Sequence, residues 1–477
     1  MPIRFRHTTC ATGAPLLATM VLFCGPAFAG DWKLTDSATV SASMVNRDQE
    51  SGGDTDRLVL SATPGFQLSG QGGRISANLS YALTASHEAD GGDDDSLSHS
   101  LNGSFNSRLY EDSVFLNGSA FAGLATTSNS SASADPNSPD SESIQTYSFG
   151  LSPQFRGRLG PYANLVSNNR FRVSGSDRGS SDDVTGRTLN IGVQNGREFG
   201  RLNWFGRYTN TYTDFTDRDE TVDSVVVGGG YRINRQWKMN ASTGYSESDA
   251  ATRRSSNSAA NWSLGIDWTP NPRTSGSFDY GRDYSGDVWS GRITHVTRRT
   301  TIAGYFSRSL TNTSALLASS QEVLILDASG APILDAAGNP LVISIPILEP
   351  TSENFINSTV GASVTLNGLR TSVSGSANYS DREYDVTGNT QKSIAYRLSA
   401  SRKIKPNVSM NISAGYSDFS SSSDPGNNTL DLSIGTGVKL GRRSNLSVSL
   451  SHRVYDAETG PDYDEQRLTL SFSTRFL

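Results

Sequence analysis

The stretch that decides the fold runs from residue 262 to 310 and opens with WSLGIDWTPNPR at 262–273. At its start, the large apolar side chains of Trp262, Leu264, Ile266 and Trp268 alternate with small or polar ones. Such a period of two places every apolar side chain on one face of an extended strand. The stretch therefore predicts a β-strand that lies between an apolar phase and water.

The same pattern returns three times before residue 310. The first of the connections is a turn at 269–273, whose two prolines cannot donate to a β-ladder. The others are a polar break at 283–287 and a turn at 297–300. The apolar faces of the three later segments are Gly276/Phe278/Tyr280, Trp289/Gly291/Ile293 and Ile302/Gly304/Phe306. If this pattern fills the chain, the protein is a membrane β-barrel.

Composition agrees with that interpretation. The 477 residues are only 35% hydrophobic and include 46 glycines, whereas soluble proteins are about 45–50% apolar. Such a composition is typical of disorder or of strands that show alternate residues to lipid, and the regular alternation argues against disorder. After the N-terminus no run of about 20 apolar residues exists, which excludes helical membrane spans.

Residues 1–29 are predicted to be a secretory signal peptide, followed by the barrel over 30–477. Arg4 and Arg6 precede an apolar run from Leu16 to Phe23, and Ala27-Phe28-Ala29 is a cleavage motif. Both cysteines lie in this segment, so a disulfide or cysteine-based metal site is not expected in the mature chain. Removal of the two arginines leaves 39 of the 41 basic residues against 47 acidic ones, a formal charge of −8 that disfavours nucleic-acid binding.

The whole chain predicts an all-β, antiparallel up-and-down transmembrane barrel of about 22 strands, with a range of about 18–24. Short connections that often hold Arg or Lys are expected to alternate strictly with long, acidic, glycine- and serine-rich loops. Both chain ends then lie on the short-turn side, which requires an even strand number. A soluble β-sandwich or solenoid is the alternative, but it does not explain two classes of connection. The short connections are 70–74, 157–160, 234–236, 367–370, 403–407 and 441–445, and the long ones are 47–56, 88–96, 125–142, 214–223, 381–390 and 456–465.

Two further features favour the outer membrane of a Gram-negative bacterium. The final segment places Leu468, Leu470, Phe472 and Phe476 on one parity and resembles the C-terminal aromatic signal of outer-membrane barrels, although Leu477 is last. Tryptophans also lie within a few residues of short turns, as an interfacial aromatic belt requires; they are Trp204, Trp237 and Trp268.

The decisive stretch also resembles a known family. WSLGIDWTPNPRT at 262–274 and GRDYSG at 281–286 are similar to the outer-membrane β-barrel proteins associated with PEP-CTERM/exosortase systems, as are PGFQLSG at 64–70 and YRI at 231–233. The resemblance implies a place in the outer membrane beside exopolysaccharide and protein-sorting machinery. It implies no activity and no functional residues.

The sequence assigns no catalytic, cofactor-binding or metal-ligating residue, and an enzyme is not expected. His87 and His99 flank an acidic loop with Asp90 and Asp93–Asp95, which allows a loop metal site, but two histidines near loop carboxylates are more often simply solvated. A Gly-x-Ser-x-Gly nucleophile elbow is not evident.

The connection from about 311 to 352 is too long for an ordinary loop. It repeats ILDASGAP at 325–332 as ILDAAGNP at 333–340 and is unusually apolar at Ile343, Ile345 and Ile347. We interpret it as a hairpin packed on the barrel rim, with a lid folded into the lumen as the alternative.

Three functions remain open at this stage. The first is a channel or export component, for which the family resemblance favours polysaccharide; the others are a general porin and a non-conducting scaffold. Expected partners are outer-membrane lipid and lipopolysaccharide, the barrel-assembly machinery, and export-complex proteins. The lumen is predicted to be polar, with Asn203 and Arg207 on one strand and Ser290 and Arg292 on another facing inward.

Overall fold

The computed structural model describes residues 30–49, 55–89, 95–126, 143–177, 184–216, 218–249, 258–312, 323–324, 342–343, 353–423 and 425–476. The predicted signal peptide lies outside these residues. The strands of the first part are β1 (Gly30–Gln49), β2 (Thr55–Gly72), β3 (Ile75–Glu88), β4 (Ser96–Tyr110), β5 (Val114–Thr126), β6 (Ser143–Leu159), β7 (Ala163–Asn168), β8 (Arg170–Ser176), β9 (Val184–Asn195), β10 (Leu202–Asp214), β11 (Asp219–Arg232) and β12 (Trp237–Ser248). Those of the second part are β13 (Ser258–Asn271), β14 (Thr274–Asp283), β15 (Gly286–Val296), β16 (Thr300–Asn312), β17 (Val323–Leu324), β18 (Val342–Ile343), β19 (Asn354–Asn367), β20 (Thr371–Tyr384), β21 (Thr390–Lys405), β22 (Val408–Ser421), β23 (Asn427–Lys439), β24 (Ser444–Ala457) and β25 (Tyr463–Arg475).

The wall is a single antiparallel sheet that closes on itself. Each strand pairs with its sequence neighbours, and β1 pairs both with β2 and with β25. At this seam Val40 stands opposite Ala62 on one side and Phe472 on the other. Of the 25 strands in the described residues, β17 and β18 form a separate pair, and β7 and β8 form one wall strand. The wall therefore has 22 strands, which confirms the prediction.

The joined strand β7/β8 is interrupted only at Asn169. Its two halves pair with β6 in one continuous register, because Ser167 faces Phe155 and Phe171 faces Leu151. The Asn169 N–H donates to the carbonyl oxygen of Pro153 at 3.0 Å, and its Oδ1 accepts the Asn190 N–H at 3.3 Å. The interruption therefore changes neither the parity nor the strand count.

Side chains alternate between the two faces of the wall as the sequence predicts. Leu432 and Ile434 are each 41% exposed on the outer face, whereas Ser433 between them bonds to Ser413 Oγ on the next strand at 2.6 Å. The last strand likewise exposes Leu468, Leu470 and Phe472. A face of large exposed apolar side chains is stable only against hydrocarbon, so the outer surface is the lipid face.

The outer face also carries the aromatic belt. By strand parity, all six tryptophans point outward, and Trp237 and Trp268 contact each other with ring centroids 5.8 Å apart. Tyr245 lies at the other end of the Trp237 strand, about 27 Å away at about 3.4 Å per residue. This separation matches an apolar band of about 25 Å.

The connections fall at two ends of the barrel, which we call the turn end and the loop end. The turn end holds the short connections, such as 73–74, 233–236 and 406–407, together with both ends of the wall. The loop end holds connections such as 89–95 and 127–142. The expected position of both ends of the barrel wall is thus confirmed.

The predicted strict alternation of short and long connections is wrong. At the loop end, β14 and β15 are joined by Tyr284 and Ser285 alone, whereas the turn-end connection 196–201 has six residues. Several predicted loops are also shorter, because β11 begins at Asp219, β20 ends at Tyr384 and β25 begins at Tyr463. Above the apolar band, ladder hydrogen bonds continue through polar residues that sequence patterns assign to loops.

The two-proline turn is also shorter than predicted. β13 continues through Pro270 to Asn271, with a register shift between Trp268 and Asn271, and only Pro272 and Arg273 form the turn. A bulge accommodates proline because one residue there needs no ladder hydrogen bond.

Within the 311–352 connection the structure describes one short ladder. Val323 pairs with Ile343, and Leu324 pairs with Val342. This antiparallel pair agrees with the predicted hairpin, and the repeated octapeptides lie outside the described residues.

Candidate functional site

The inward face of the wall is lined with hydroxyl groups. Serines on neighbouring strands pair across it with Oγ–Oγ distances of 2.5 to 2.7 Å, and the pairs are Ser41–Ser61, Ser242–Ser263, Ser374–Ser399, Ser413–Ser433 and Ser447–Ser471. A hydroxyl both donates and accepts hydrogen bonds, so this surface suits water and other polyhydroxylated solutes. The prediction of a polar lumen is confirmed, and Asn203, Arg207, Ser290 and Arg292 lie on its inward parity.

A charged cluster lies inside the loop end, at the seam that closes the barrel. Arg47 Nη2 donates to Glu465 Oε2 at 2.7 Å, and Arg467 Nη2 donates to Glu465 Oε1 at 2.9 Å. The Arg47 guanidinium also lies 4.7 Å from the ring centroid of Tyr463, which stacks on Tyr455. The Arg47 and Glu465 side chains are 4% and 6% exposed, so their pairing is largely removed from water.

A second packed cluster lies on β19 and β20 at the same end. The Phe355 and Tyr384 rings contact each other at 5.2 Å between centroids, and the Arg382 guanidinium lies 5.6 Å from the Phe355 ring. All three side chains are buried. Both rings point inward by strand parity, so the inner face of the wall is packed at this part of the loop end.

One contact crosses the lumen. Asn354 Nδ2, at the start of β19, donates to Glu220 Oε2 on β11 at 2.9 Å, and both residues are buried. These strands are six steps apart around the wall, about 29 Å at about 4.8 Å per strand. Two distant parts of the wall therefore meet, and the loop end is constricted.

The turn end, in contrast, holds an open cleft of about 570 Å³ between β11 and β15. Arg232, Lys238 and Arg292 line it together with Asp267. Lys238 Nζ lies 3.4 Å from Asp267 Oδ2, and Asn240 donates to the same oxygen at 2.9 Å. Cationic and hydroxyl groups thus face solvent in this cleft.

The structure separates the two loop histidines that the sequence singled out. His87 Nδ1 lies 2.7 Å from Asp95 Oδ1, whereas His99 Nδ1 lies 2.8 Å from the Tyr81 hydroxyl. Asp90, Asp93 and Asp94 are outside the described residues. Within the ranges that the structure describes, no three His, Cys, Asp or Glu residues are grouped as metal ligands, and no helix is long and apolar enough to cross a membrane.

Sequence reasoning missed the two contacts that shape the loop end. Arg47 and Glu465 are 418 residues apart, and Glu220 and Asn354 are 134 residues apart. The sequence pattern placed Glu465 at the end of the long connection 456–465, whereas its side chain is buried inside the wall. The Arg47–Glu465 pair could have been predicted from inward strand parity together with closure of the barrel. No pattern in the sequence indicates the contact between Glu220 and Asn354.

The fold resembles solved outer-membrane proteins. The FrpB iron transporter from Neisseria meningitidis (F5-1 variant) has a TM-score of 0.51 at 11% identity, covering 93% of this chain and 82% of that one. The siderophore receptor PirA from Pseudomonas aeruginosa matches at 0.43 and 9%, covering 92% and 80%. Pseudomonas aeruginosa OpdO matches at 0.34 and 12%, covering 93% and 98%. No family model and no curated protein matches the chain.

Closure into 22 antiparallel strands, with an apolar outer face and a polar inner one, defines the class of protein. The chain is an outer-membrane β-barrel of a Gram-negative bacterium. Its fold is similar to that of the FrpB iron transporter.

Proposed function

We propose that this barrel is a channel through which a polysaccharide or a related polyhydroxylated envelope substrate crosses the outer membrane. The observation that carries this proposal is the hydroxyl-lined inner face of the wall, together with the solvent-facing cleft at the turn end. Hydroxyl and amide groups exchange hydrogen bonds with sugars about as well as with water, so a sugar chain passes such a wall without a large desolvation cost.

The constricted loop end supports regulated passage and argues against a permanently wide pore. Glu220 and Asn354 join β11 to β19, and the Phe355–Tyr384 cluster fills the neighbouring part of the wall. Opening requires these contacts to separate. Polar contacts between two wall segments can exchange with water at modest cost, which is suitable for a gate.

The sequence resemblance of 262–286 supports a more specific proposal. In that proposal the channel acts in export beside exosortase-linked exopolysaccharide and protein-sorting machinery. A general porin for small solutes is the alternative. A strain without the chain loses surface polysaccharide in the first case, and only uptake of small solutes in the second.

Planar-bilayer recording tests the channel itself. The wild-type barrel is expected to conduct weakly, and Glu220→Ala is expected to raise single-channel conductance because it removes the bond across the lumen. Glu247→Ala is the matched control, since Glu247 lies on the neighbouring strand, level with Asp223 and three residues from the level of Glu220, and points outward. A barrel that stays silent with Glu220→Ala, while folded, contradicts the channel proposal.

Deletion of residues 316–350 in the same assay locates the long connection. If it packs on the rim, conductance barely changes and neighbouring loops become more sensitive to protease. A several-fold rise in conductance instead shows that the connection blocks the lumen.

A further inference from the structure

The inward face of β6 to β10 carries five arginines and no carboxylate. Alternation on each strand fixes their direction, because Phe171 and Val173 on either side of Arg172 are each 46% exposed on the lipid face. The same parity turns the other four inward, and the five are Arg156, Arg158, Arg170, Arg172 and Arg207. The whole chain has a formal charge of −6, so this sector is opposite in sign to the protein.

Strand register arranges these arginines as a ladder. Arg158 stands in the row of Asn164, nearest the turn end. The next inward row toward the loop end crosses four strands, on which the successive partners are Arg156, Val166, Gly192 and Arg207.

The ladder continues toward the loop end. The next inward row holds the polar side chains of Gln154, Asn190 and Thr209. In the row after it Arg170 pairs with Thr188. In the last row Arg172 lies between Gly150 and Gly186. Arg158 and the Arg172 row are eight residues apart along β6, about 27 Å. We call these five residues the arginine ladder, and it spans the height of the apolar band.

The neighbours of the ladder leave its charge available. Among the described residues, no carboxylate lies within ion-pair distance of any of the five guanidinium groups. Arg156 lies over the Phe115 ring at 5.1 Å and Arg207 over the Phe205 ring at 5.8 Å. An aromatic face orients a guanidinium without neutralising it.

Glycine makes room along the ladder. Gly192 stands between Val166 and Arg207, and a Cβ there would lie 3.6 Å from the Arg207 Cβ and 3.0 Å from a backbone oxygen. Gly150 and Gly186 flank Arg172 in the same way. The guanidinium groups can therefore lie along the wall and present several N–H donors to the lumen.

We propose that the arginine ladder makes the lumen selective for anionic saccharides, in which carboxylates pair with successive arginines while hydroxyl groups bond to the Ser, Thr and Asn side chains between them. The proposal rests on the proposed channel function and deepens it by naming the substrate class. A sector of one charge sign on a channel wall concentrates counter-ions beside it, and rings of arginine select anions in known pores. Guanidinium–carboxylate pairs also carry two parallel hydrogen bonds, which adds affinity for uronate groups.

Reversal potentials in a KCl gradient test the selectivity. The wild-type barrel is expected to prefer chloride over potassium several-fold, and the combined variant Arg156→Gln, Arg170→Gln and Arg207→Gln is expected to bring the ratio near unity. Arg187→Gln is the control, because Arg187 lies on β9 among these strands but on the outward parity. A conducting barrel that prefers cations, or a ratio that the triple variant does not change, contradicts the ladder proposal and leaves the channel function intact.

A binding measurement does not depend on conduction. Detergent-folded barrel is titrated with a carboxylated oligogalacturonate, with a phosphorylated sugar and with a neutral malto-oligosaccharide, and folding of each variant is checked by heat-modifiable gel mobility. Saturable binding of oligogalacturonate that the triple variant weakens at least tenfold, with no binding of the neutral chain, supports the ladder even if the barrel does not conduct. Equal binding of charged and neutral chains, or stronger binding of the phosphorylated sugar, overturns the carboxylate assignment.

Discussion

At the scale of single residues, Glu465 is the group on which the closing seam depends. It accepts hydrogen bonds from Arg47 and Arg467, and all three side chains are nearly buried. A carboxylate between two buried guanidinium groups removes a repulsion that water cannot screen.

We therefore expect Glu465→Gln to lower the free energy of unfolding by about 3–5 kcal/mol, because two buried cations lose their counter-ion. Urea unfolding from lipid vesicles measures this change. Asp287→Asn is the control, since its pair with Arg282 is more than half exposed and is worth at most about 1 kcal/mol. Equal effects at the two sites would show that the seam pair is solvated.

The lipid face gives a second prediction at this scale. Leu432→Arg or Ile434→Arg is expected to destabilise the barrel by about 2–4 kcal/mol if the residue lies near the midplane, because a charge then enters hydrocarbon. Ser433→Arg is expected to be tolerated, since that side chain faces the lumen beside Ser413. The same urea assay compares the three variants, and equal sensitivity at 432 and 433 would refute the assignment of the faces.

At the scale of elements, the β14–β15 hairpin is the tightest connection at the loop end. Tyr284 and Ser285 alone join the strands, and Asp283 Oδ1 accepts both the Ser285 N–H at 2.7 Å and its hydroxyl at 2.6 Å. Gly286 then has φ of +110°, a conformation that other residues rarely adopt.

Gly286→Ala is therefore expected to cost about 1–3 kcal/mol through backbone strain alone, because no atom lies within 4 Å of the added Cβ. Gly73→Ala, in a turn-end connection, meets equally open space without a positive φ and is expected to be neutral. Thermal and urea unfolding of the two variants provide the comparison. A neutral Gly286→Ala would mean that the hairpin relaxes freely.

The sequence predicts elements well wherever lipid and water alternate. Trp262 to Trp268 and Leu430 to Ile434 have one possible parity each, and 22 such segments determine an even, closed wall. Strand boundaries at the loop end are less predictable. There, around residues such as Asp219 and Glu465, both faces of the strand are polar although the ladder continues. The contact between Glu220 and Asn354 depends on how the wall bends, and local patterns do not encode that bending.

At the scale of the whole molecule, the two ends of the barrel differ in charge. Turn-end connections hold groups such as Arg442 and Arg443, and loop-end connections hold groups such as Asp462. We predict that the loop end faces the cell exterior and the turn end the periplasm, as in barrels with short periplasmic turns.

Cysteine labelling of intact cells tests this orientation. A membrane-impermeant maleimide is expected to label Asp94→Cys and not Arg442→Cys, because only the first residue is predicted to lie outside. Permeabilised cells serve as the control for reactivity and should label at both positions. Labelling of intact cells at 442 alone would invert the orientation.

The seam between β1 and β25 has a consequence for how the barrel forms. Residues 37–49 pair with residues 463–475, so this ladder joins segments more than 400 positions apart and is expected to form last. Every other ladder of the described wall pairs strands that are consecutive along the wall and can form as a hairpin, whereas this one closes a loop of nearly the whole chain. Until then both edge strands expose unpaired backbone groups, which hydrocarbon penalises and which other chains can pair with. During assembly the two edge strands must therefore be kept from contact with lipid and with other copies until β25 pairs with β1. The buried Arg47–Glu465 ion pair then stabilises the closed barrel.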